Sequence, residues 1–329
     1  MSTPPSVSRP ISPDTAASAE FAAALQYYLA LRPRQLPSRY LYDELGSALF
    51  EAICRLPWYG ITRAESRLLD AHGGDVFAAL GSVSRIVELG SGSGDKLRRL
   101  LDAAGAHRPP IEIHLIDVSA AALEASTRAL DALDRVTLVT HRSRYESGLV
   151  DAVSGEVADG RTLVLFLGSN IGNFDRPGAA ALLQNIRAAL APGDALLLGA
   201  DLVKPERDLL LAYDDPLGVT AAFNRNLLVR INHELGGDFD VDAFHHRASW
   251  NAAESRVEMH LVAATPQAVH IPRAHLNVTF AAGEAIWTES SYKYMPEQLE
   301  SMAASAGFVQ GARWIDLQDR FALTLFESR

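Results

Sequence analysis

The sequence predicts an α/β fold: a parallel sheet covered by helices on both faces, interrupted by a second, discontinuous α+β unit. Three observations carry this reading. Between residues 85 and 203, short and strongly apolar runs alternate with amphipathic helical runs, the rhythm of a sheet buried on both faces. The first apolar run ends in a bare glycine turn, RIVELGSGSGDK at 85–96, and passes straight into a helix. After residue 203 the rhythm breaks, and a helix followed by two strands resumes it only near residue 296.

Composition narrows the function classes. A length of 329 residues suits one large or two interleaved domains. Hydrophobic residues make up 48%, enough for a core of ordinary size. A formal net charge of −10 argues against nucleic-acid phosphate or an anionic membrane as the main partner, and suits a small cationic or zwitterionic ligand. The single cysteine, Cys54, cannot form an internal disulfide or a Cys-rich zinc site. Its neighbours Ala52, Ile53 and Leu56 suggest a buried helix position. No run reaches the ~20 apolar residues of a membrane span. The Pro- and Ser-rich start has no apolar h-region and reads as a disordered leader over 1–20. A cytoplasmic protein is expected, and a monomer, since no amphipathic stretch is left over.

The elements follow in order. Residues 40–57 space Leu45, Ala48, Leu49, Ala52, Ile53 and Leu56 as a helix, ended by Pro57. Thr62 and Glu65 read as a capping box, opening a helix through Leu68 and Leu69 that stops near Gly73-Gly74. RIVEL (85–89) is a buried strand and KLRRLLDAA (96–104) a helix. IEIHLID (111–117) is a strand, AALEASTRALDAL (121–133) a helix, and VTLVTH (136–141) a strand. TLVLFLG (162–168) and ALLLGADLV (195–203) are strands flanking a helix over 178–194 that closes with Pro-Gly. Residues 204–285 mix a helical run, AFNRNLLVRINHEL, with the alternating strands SRVEMHLVAA, VHIPR and LNVTFAAGE. A helix over 296–306 and strands FVQGARWID and RFALTLFE complete the chain. The α/β domain is therefore expected over 63–203 plus 294–329, and the second unit over 21–62 plus 204–293.

A strand that ends in a glycine turn and opens a helix is where α/β sheets bind cofactors, because glycine turns tightly and lets a ligand approach the backbone. The glycines here are Gly90, Gly92 and Gly94, which does not match the dinucleotide spacing G-x-G-x-x-G. A P-loop does not match either: Asp95 stands where its second glycine belongs, and Leu97 replaces its magnesium-holding hydroxyl. The run from Glu88 to Gly94, acidic-x-G-x-G-x-G, instead resembles the first motif of class I, Rossmann-like methyltransferases, which use S-adenosylmethionine. Asp117 ends the next strand, where a carboxylate can accept hydrogen bonds from both ribose hydroxyls of an adenosyl group. It could equally cap the following helix.

Flanking blocks extend the resemblance. YLYDELGSALFEAICRLPWYGITRAE (40–65), VELGSGSGDK (87–96), FLGSNIGNF (166–174), LGADLVK (198–204), AYDDPLGVTAAFNRNLL (212–228), DFDVDAF (238–244), RVEMHL (256–261) and FAAGEAIWTESSYKY (280–294) stand in order. Together, from about residue 30 onward, they resemble the histidine Nα-methyltransferases of ergothioneine biosynthesis. That resemblance implies a class I methyltransferase domain with a separate substrate domain, and trimethylation of L-histidine to hercynine with three molecules of S-adenosylmethionine and no metal. It implies cofactor-binding positions at Gly90, Gly92, Lys96 and Asp117, with Arg144 and Tyr145 standing near the adenine. It implies that Tyr59, Asn173 and Tyr213 grip the amino-acid backbone, that Glu289 and Ser291 bind the imidazole, and that Met259 lines its pocket. Tyr42 and Phe50 match aromatic residues around the reacting amine.

Two departures stand out. Arg144-Tyr145 takes the place of an acidic-aromatic pair, and LPWYGIT replaces LPEYYPT, so that Trp58 and Gly60 flank Tyr59. Chemically, the amine must be neutral to attack, and Tyr42 or a water chain is the expected proton acceptor. Aromatic faces beside it would suit the cation that forms, by about 0.5–2 kcal/mol. Glu289 would reward a ring N–H, and Ser291 would point the same way if 286–292 is a strand.

Plainer readings stand beside these. Tyr213 could be a helix-end tyrosine with a satisfied hydroxyl, Asn173 a turn residue, and Glu289 a solvated strand residue. His245-His246 and the alternating Asp238, Asp240 and Asp242 lack the spacing of zinc or calcium sites, so no metal is expected. Two other functions remain open: the same chemistry on another amino acid or aromatic amine, and a non-catalytic binding module.

Overall fold

The computed structural model describes residues 13–105, 109–155 and 160–329. The described residues divide into two compact units: a smaller one of those up to 41 with 221–247 and 259–289, and a larger one of those within 42–220 with 248–258 and 290–329.

The elements run α1 (Pro13–Ala30), β1 (Arg34–Gln35), α2 (Glu44–Cys54), α3 (Gly60–Leu80), β2 (Val83–Leu89), α4 (Asp95–Ala103), β3 (Ile111–Asp117), α5 (Ala120–Leu130) and β4 (Val136–Arg142). Next come α6 (Tyr145–Val153), β5 (Arg161–Phe166), α7 (Arg176–Ala189), β6 (Ala195–Asp201), α8 (Glu206–Tyr213) and α9 (Val219–Leu235). Strands β7 (Phe244–Asn251), β8 (Arg256–Ala263), β9 (Gln267–Ile271), β10 (Leu276–Phe280) and β11 (Ala285–Tyr292) follow. Helix α10 (Pro296–Ser305) and strands β12 (Phe308–Asp316) and β13 (Phe321–Ser328) end the chain.

In the larger unit seven strands form one sheet in the order β12-β13-β6-β5-β2-β3-β4. Neighbours from β6 to β4 pair in parallel, whereas β13 runs antiparallel to both β6 and β12. All seven residues of β6 and the last five of β5 are buried, which explains their unbroken apolar runs. Each Leu or Phe buried there contributes roughly 1.5–3 kcal/mol. Chain order reverses at β2, which has β3 on one side and β5 on the other. In such sheets the crevice beyond the strand ends at that reversal is the ligand position.

Helix α3 departs from expectation. It begins at Gly60, and its N-cap, Tyr59, makes no side-chain capping bond; Glu65 is drawn elsewhere, so Thr62 and Glu65 form no capping box. It also passes through Gly73-Gly74 to Leu80. A side chain on Gly73 would bring its Cβ within 2.7 Å of the Ala103 Cβ, so this glycine permits close packing of α3 on α4. The expected leader is already helical from Pro13, while residues 1–12 lie outside the described ones. Cys54 ends α2 half-buried, and burial pushes its thiol above the ordinary value. Residues 42–62, 204–220, 248–258 and 290–293, expected with the second unit, group with the sheet-bearing unit, where α2 packs on α3.

The smaller unit has its own core. Phe239, Phe244 and Phe280 meet with ring centroids 5.5–6.0 Å apart. Arg34 of β1 lies over Phe280, pairs with Glu284 at 2.7 Å and donates to the Thr279 carbonyl. Strand β1 runs parallel to β11, with Arg34 opposite Ile286, and β9 and β10 form an antiparallel hairpin.

Candidate active site

The glycine turn after β2 is built as its spacing requires. Gly90, Gly92 and Gly94 have φ of +83°, +51° and +78°, conformations that L side chains rarely adopt. A Cβ on Gly90 would stand 2.9 Å from Asn170 Nδ2 and 3.0 Å from the Tyr145 hydroxyl, whereas one on Gly92 would meet nothing within 4 Å. The loop is therefore backed by Asn170 and Tyr145 at Gly90 and open at Gly92. Asp117, at the end of β3, accepts from the Gly92 N–H at 3.3 Å and the Ser119 N–H at 2.9 Å. Ser119, not Asp117, caps α5. Burial raises the Asp117 carboxyl above its ordinary value, against the pull of those N–H donors.

Beneath the turn lie two buried carboxylates. Glu88, 2% exposed, has no hydrogen-bond partner for its Oε2 among the described residues. Burial, with Glu65 and Asp117 nearby, pushes its carboxyl up to about 8 despite Lys96. Glu65 accepts twice from the Gly168 N–H, at 2.8 and 3.0 Å, and pairs with Lys96 Nζ at 2.7 Å. Burial alone would lower the Lys96 ammonium, but Glu65 reverses this and raises it. Lys96 thus braces the Gly168 turn after β5. Arg144 is exposed at the N-cap of α6, and Tyr145 beside it packs against Phe166 and Phe174. Burial holds the Tyr145 phenol above its ordinary value.

These residues fit an adenosyl cofactor. The turn is open at Gly92, Asp117 offers acceptor oxygens at its edge, and the Glu88 carboxyl retains an unmatched oxygen.

A second group in the larger unit is a row of aromatic rings. Tyr42 lies 5.5 Å from Phe50, Phe50 lies 6.2 Å from Tyr59, and Tyr59 lies 6.3 Å from Tyr213, each pair edge to face. The Asp43 cap, accepting from the Gly46 N–H at 2.7 Å, fixes the start of α2 between Tyr42 and Phe50. Gly60 follows Tyr59 because a Cβ there would fall 2.3 Å from Asp319 Oδ1, and Asp319 is held by Arg67 at 2.7 Å. Asn173 is exposed on the short 3-10 turn Asn170–Asn173 after β5.

Tyr213 ends α8, and its hydroxyl lies 2.7 Å from Ser291 Oγ. Lys293, fully buried, donates to the Tyr213 hydroxyl at 2.8 Å and to Ser291 Oγ at 3.0 Å, and pairs with Asp201 at 2.9 Å. The other Asp201 oxygen pairs with Lys204 at 2.6 Å. Burial works against the Lys293 ammonium, but Asp201 and then Tyr213 outweigh it and raise it well above the ordinary lysine value.

Met259 and Glu289 belong to the smaller unit. Met259 is buried on β8, and its carbonyl accepts from the Thr288 hydroxyl at 3.0 Å. Glu289 is half-buried on β11, and its carbonyl accepts from Trp287 Nε1 at 2.9 Å. His245 and His246 lie on β7, where Asn224 bonds His246. Asp238 and Asp240 serve the backbone N–H groups of His270 and Asp242. Among the described residues no group of three His, Cys, Asp or Glu could hold a metal ion, and no helix is long and apolar enough to cross a membrane.

Sequence reasoning missed Glu65, Asp201 and Lys293 as site-building residues. Each stood inside a quoted block, but nothing in spacing tells a buried, paired charge from a solvated one.

Comparison with known proteins adds a separate line. Residues 21–328 match the family described as histidine-specific, S-adenosylmethionine-dependent methyltransferases. The histidine N-alpha-methyltransferase of Mycolicibacterium smegmatis is 42% identical over 305 residues, 90% of this chain and 91% of that protein. Its counterpart in Mycobacterium tuberculosis is 42% identical over 302 residues, 89% of this chain and 90% of that one. Ergothioneine biosynthesis protein 1 of Neurospora crassa is 29% identical over 86% of this chain but only 32% of its own length. Matched over nearly its whole length, this chain belongs to the family of histidine-specific, S-adenosylmethionine-dependent methyltransferases.

Proposed function

We propose that this chain is an L-histidine Nα-methyltransferase that forms hercynine by three successive methyl transfers. The observation that carries the reading is the extent of its likeness to the two mycobacterial histidine enzymes, each 42% identical over 90% and 89% of this chain. In this reading Gly90, Gly92 and Asp117 hold the adenosyl part of the cofactor, Glu88 and the Lys96–Glu65 pair stand behind the turn, and Tyr145 with Arg144 borders the adenine. Bound there, S-adenosylmethionine supplies an electrophilic methyl group.

The chain's own part is to present the histidine amine neutral and aligned. Positioning of this kind accounts for roughly 7–11 kcal/mol in well-oriented reactions. Tyr59, Asn173 and Tyr213 would hold the amino-acid backbone. Tyr42 and Phe50 would face the nitrogen, with Tyr42 or a water chain relaying its proton away, and both rings tolerating the charge that becomes permanent after the third transfer. Glu289, Ser291 and Met259 would select the imidazole. The protein would work as a cytoplasmic monomer.

Mass spectrometry of a reaction with S-adenosylmethionine tests the reading. Mono-, di- and trimethylated histidine, with unlabelled tryptophan left unchanged in competition, is the expected result. No product from histidine, with the cofactor analogue still bound, would overturn the substrate and turn the search to another amine.

A further inference from the structure

The hydroxyl pair Tyr213–Ser291 rests on a buried ammonium, and that ammonium decides which way the hydroxyl protons can point. We infer that Lys293 is a positioning residue that makes the Tyr213–Ser291 pair a hydrogen-bond donor toward the substrate. The inference deepens the histidine reading above and rests on it for the identity of the ligand.

The argument is a count of protons. An ammonium has three N–H donors and no acceptor. Those of Lys293 reach the Tyr213 hydroxyl at 2.8 Å, Ser291 Oγ at 3.0 Å and Asp201 Oδ2 at 2.9 Å, so all three are committed. The two hydroxyls own two protons. One lies in the 2.7 Å bond between them. The other cannot be given to Lys293, and must go to an acceptor outside the Lys293–Tyr213–Ser291 triangle. With the ammonium, one proton and one lone pair of the pair stay open; without it, the same proton would compete with three open lone pairs, and the pair would turn chiefly into an acceptor for a ligand N–H.

The rest of the network keeps this arrangement in force. Lys293 is 0% exposed and Asp201 1% exposed, so the pair is shielded from water, and Asp201 keeps the ammonium charged. Lys204, at 2.6 Å from the other Asp201 oxygen, holds the carboxylate in place. Asp201 is itself the last residue of β6, and its N–H donates to Ser169 Oγ at 2.9 Å, so the network is built on the sheet rather than on a loop. The ligand group that such a pair recognises carries a lone pair and no proton at that point: a carboxylate oxygen or an unprotonated ring nitrogen. An ammonium or a ring N–H would find only the single lone pair that the three bonds leave between the two oxygens, and is disfavoured. L-histidine offers both acceptors.

The test compares the wild type with Lys293→Met and with the double variant Lys293→Met, Asp201→Asn, which leaves no buried carboxylate stranded. Calorimetry would measure S-adenosylhomocysteine, L-histidine in its presence, and histamine, which lacks the carboxylate. Loss of a hydrogen bond backed by a buried charge predicts about tenfold weaker histidine binding and a matching rise in KM, with cofactor affinity and kcat kept within about threefold. A loss shared by histamine assigns the ring nitrogen as the acceptor; a loss confined to histidine assigns the carboxylate. Unchanged histidine affinity in a folded double variant overturns the proposal.

A second readout does not depend on the substrate. The Cζ carbon resonance of labelled Tyr213, assigned through Tyr213→Phe, should move when Lys293 is replaced. If it does not move, the proposal fails. If it moves while the wild type binds no histidine, only the histidine reading fails.

Discussion

Glu65 and Glu88 are both buried within the larger unit, yet the chain treats them in opposite ways. Glu65 has every strong partner it could want, two bonds from one backbone N–H and an ammonium. Glu65→Gln keeps the size and removes the charge, and should destabilise the fold by about 1–3 kcal/mol in denaturant unfolding, less if water reaches the half-exposed Lys96. A loss below a few tenths would show that the pair does not brace the Gly168 turn. Glu88 is the reverse case. Its carboxyl titrates at about 8 in the folded protein against 4.5 in the unfolded chain. Between those values the folded state keeps a proton that the unfolded state has released, so this group's contribution is full below pH 4.5 and is lost as pH rises to about 8. Glu88→Gln cannot ionise. Urea midpoints should therefore show the variant gaining on the wild type from pH 5 to pH 8, on the order of 1 kcal/mol per pH unit at most. Parallel pH profiles would sink the idea. Neither behaviour was legible beforehand: Glu65 stood at a capping-box offset, and Glu88 read only as the acid that opens a glycine motif.

At the scale of the element, two adjacent glycines on α3 make opposite predictions. Gly73 is buried against α4, and a methyl group there would press on the Ala103 Cβ at 2.7 Å. Gly74 is exposed, and its Cβ would meet the Ala103 carbonyl oxygen at an ordinary 3.5 Å. Gly74→Ala should stabilise by about 0.5–1 kcal/mol through helix propensity alone. Gly73→Ala should destabilise by about 1 kcal/mol, since overpacking at a helix crossing outweighs the same propensity gain. Thermal unfolding of the pair checks both; equal shifts would mean that α3 and α4 relax apart freely. The pair also shows why the sheet was easier to read than the helices around it. Apolar runs such as TLVLFLG state their burial in every residue, and β2 to β6 fell where they were expected. The end of α3 was misread because a Gly-Gly step is a stop signal when solvated and a packing device when a neighbour presses on it. Helix α6 and strand β7 were passed over: α6 is short, and FHHRASWN in β7 holds no β-branched residue.

For the whole molecule, the placement of the site residues predicts where the cofactor's binding energy appears. Gly90, Gly92, Asp117, Tyr145 and the Glu65–Lys96 pair all belong to the larger unit, whereas β9 and β10 lie within the smaller one. A ligand that binds only the folded state stabilises it by about 2.7 kcal/mol at a hundredfold excess over its Kd. That gain goes to whichever residues must open together to release the ligand. With S-adenosylhomocysteine, amide exchange in β2, β3 and the turn after β5 should slow by about tenfold or more, while the amides of β9 and β10 keep their free rates. Adding L-histidine on top tests the other half of the proposed assignment. Met259 and Glu289 belong to the smaller unit, so a substrate held through them should extend protection into β8 and β11 there. Protection by histidine confined to the larger unit would remove Glu289 from imidazole recognition and leave selectivity to Tyr213 and Ser291. Protection of both units by the cofactor alone would show that they unfold as one cooperative body, and that the division seen in the chain's contacts is not a division in its stability.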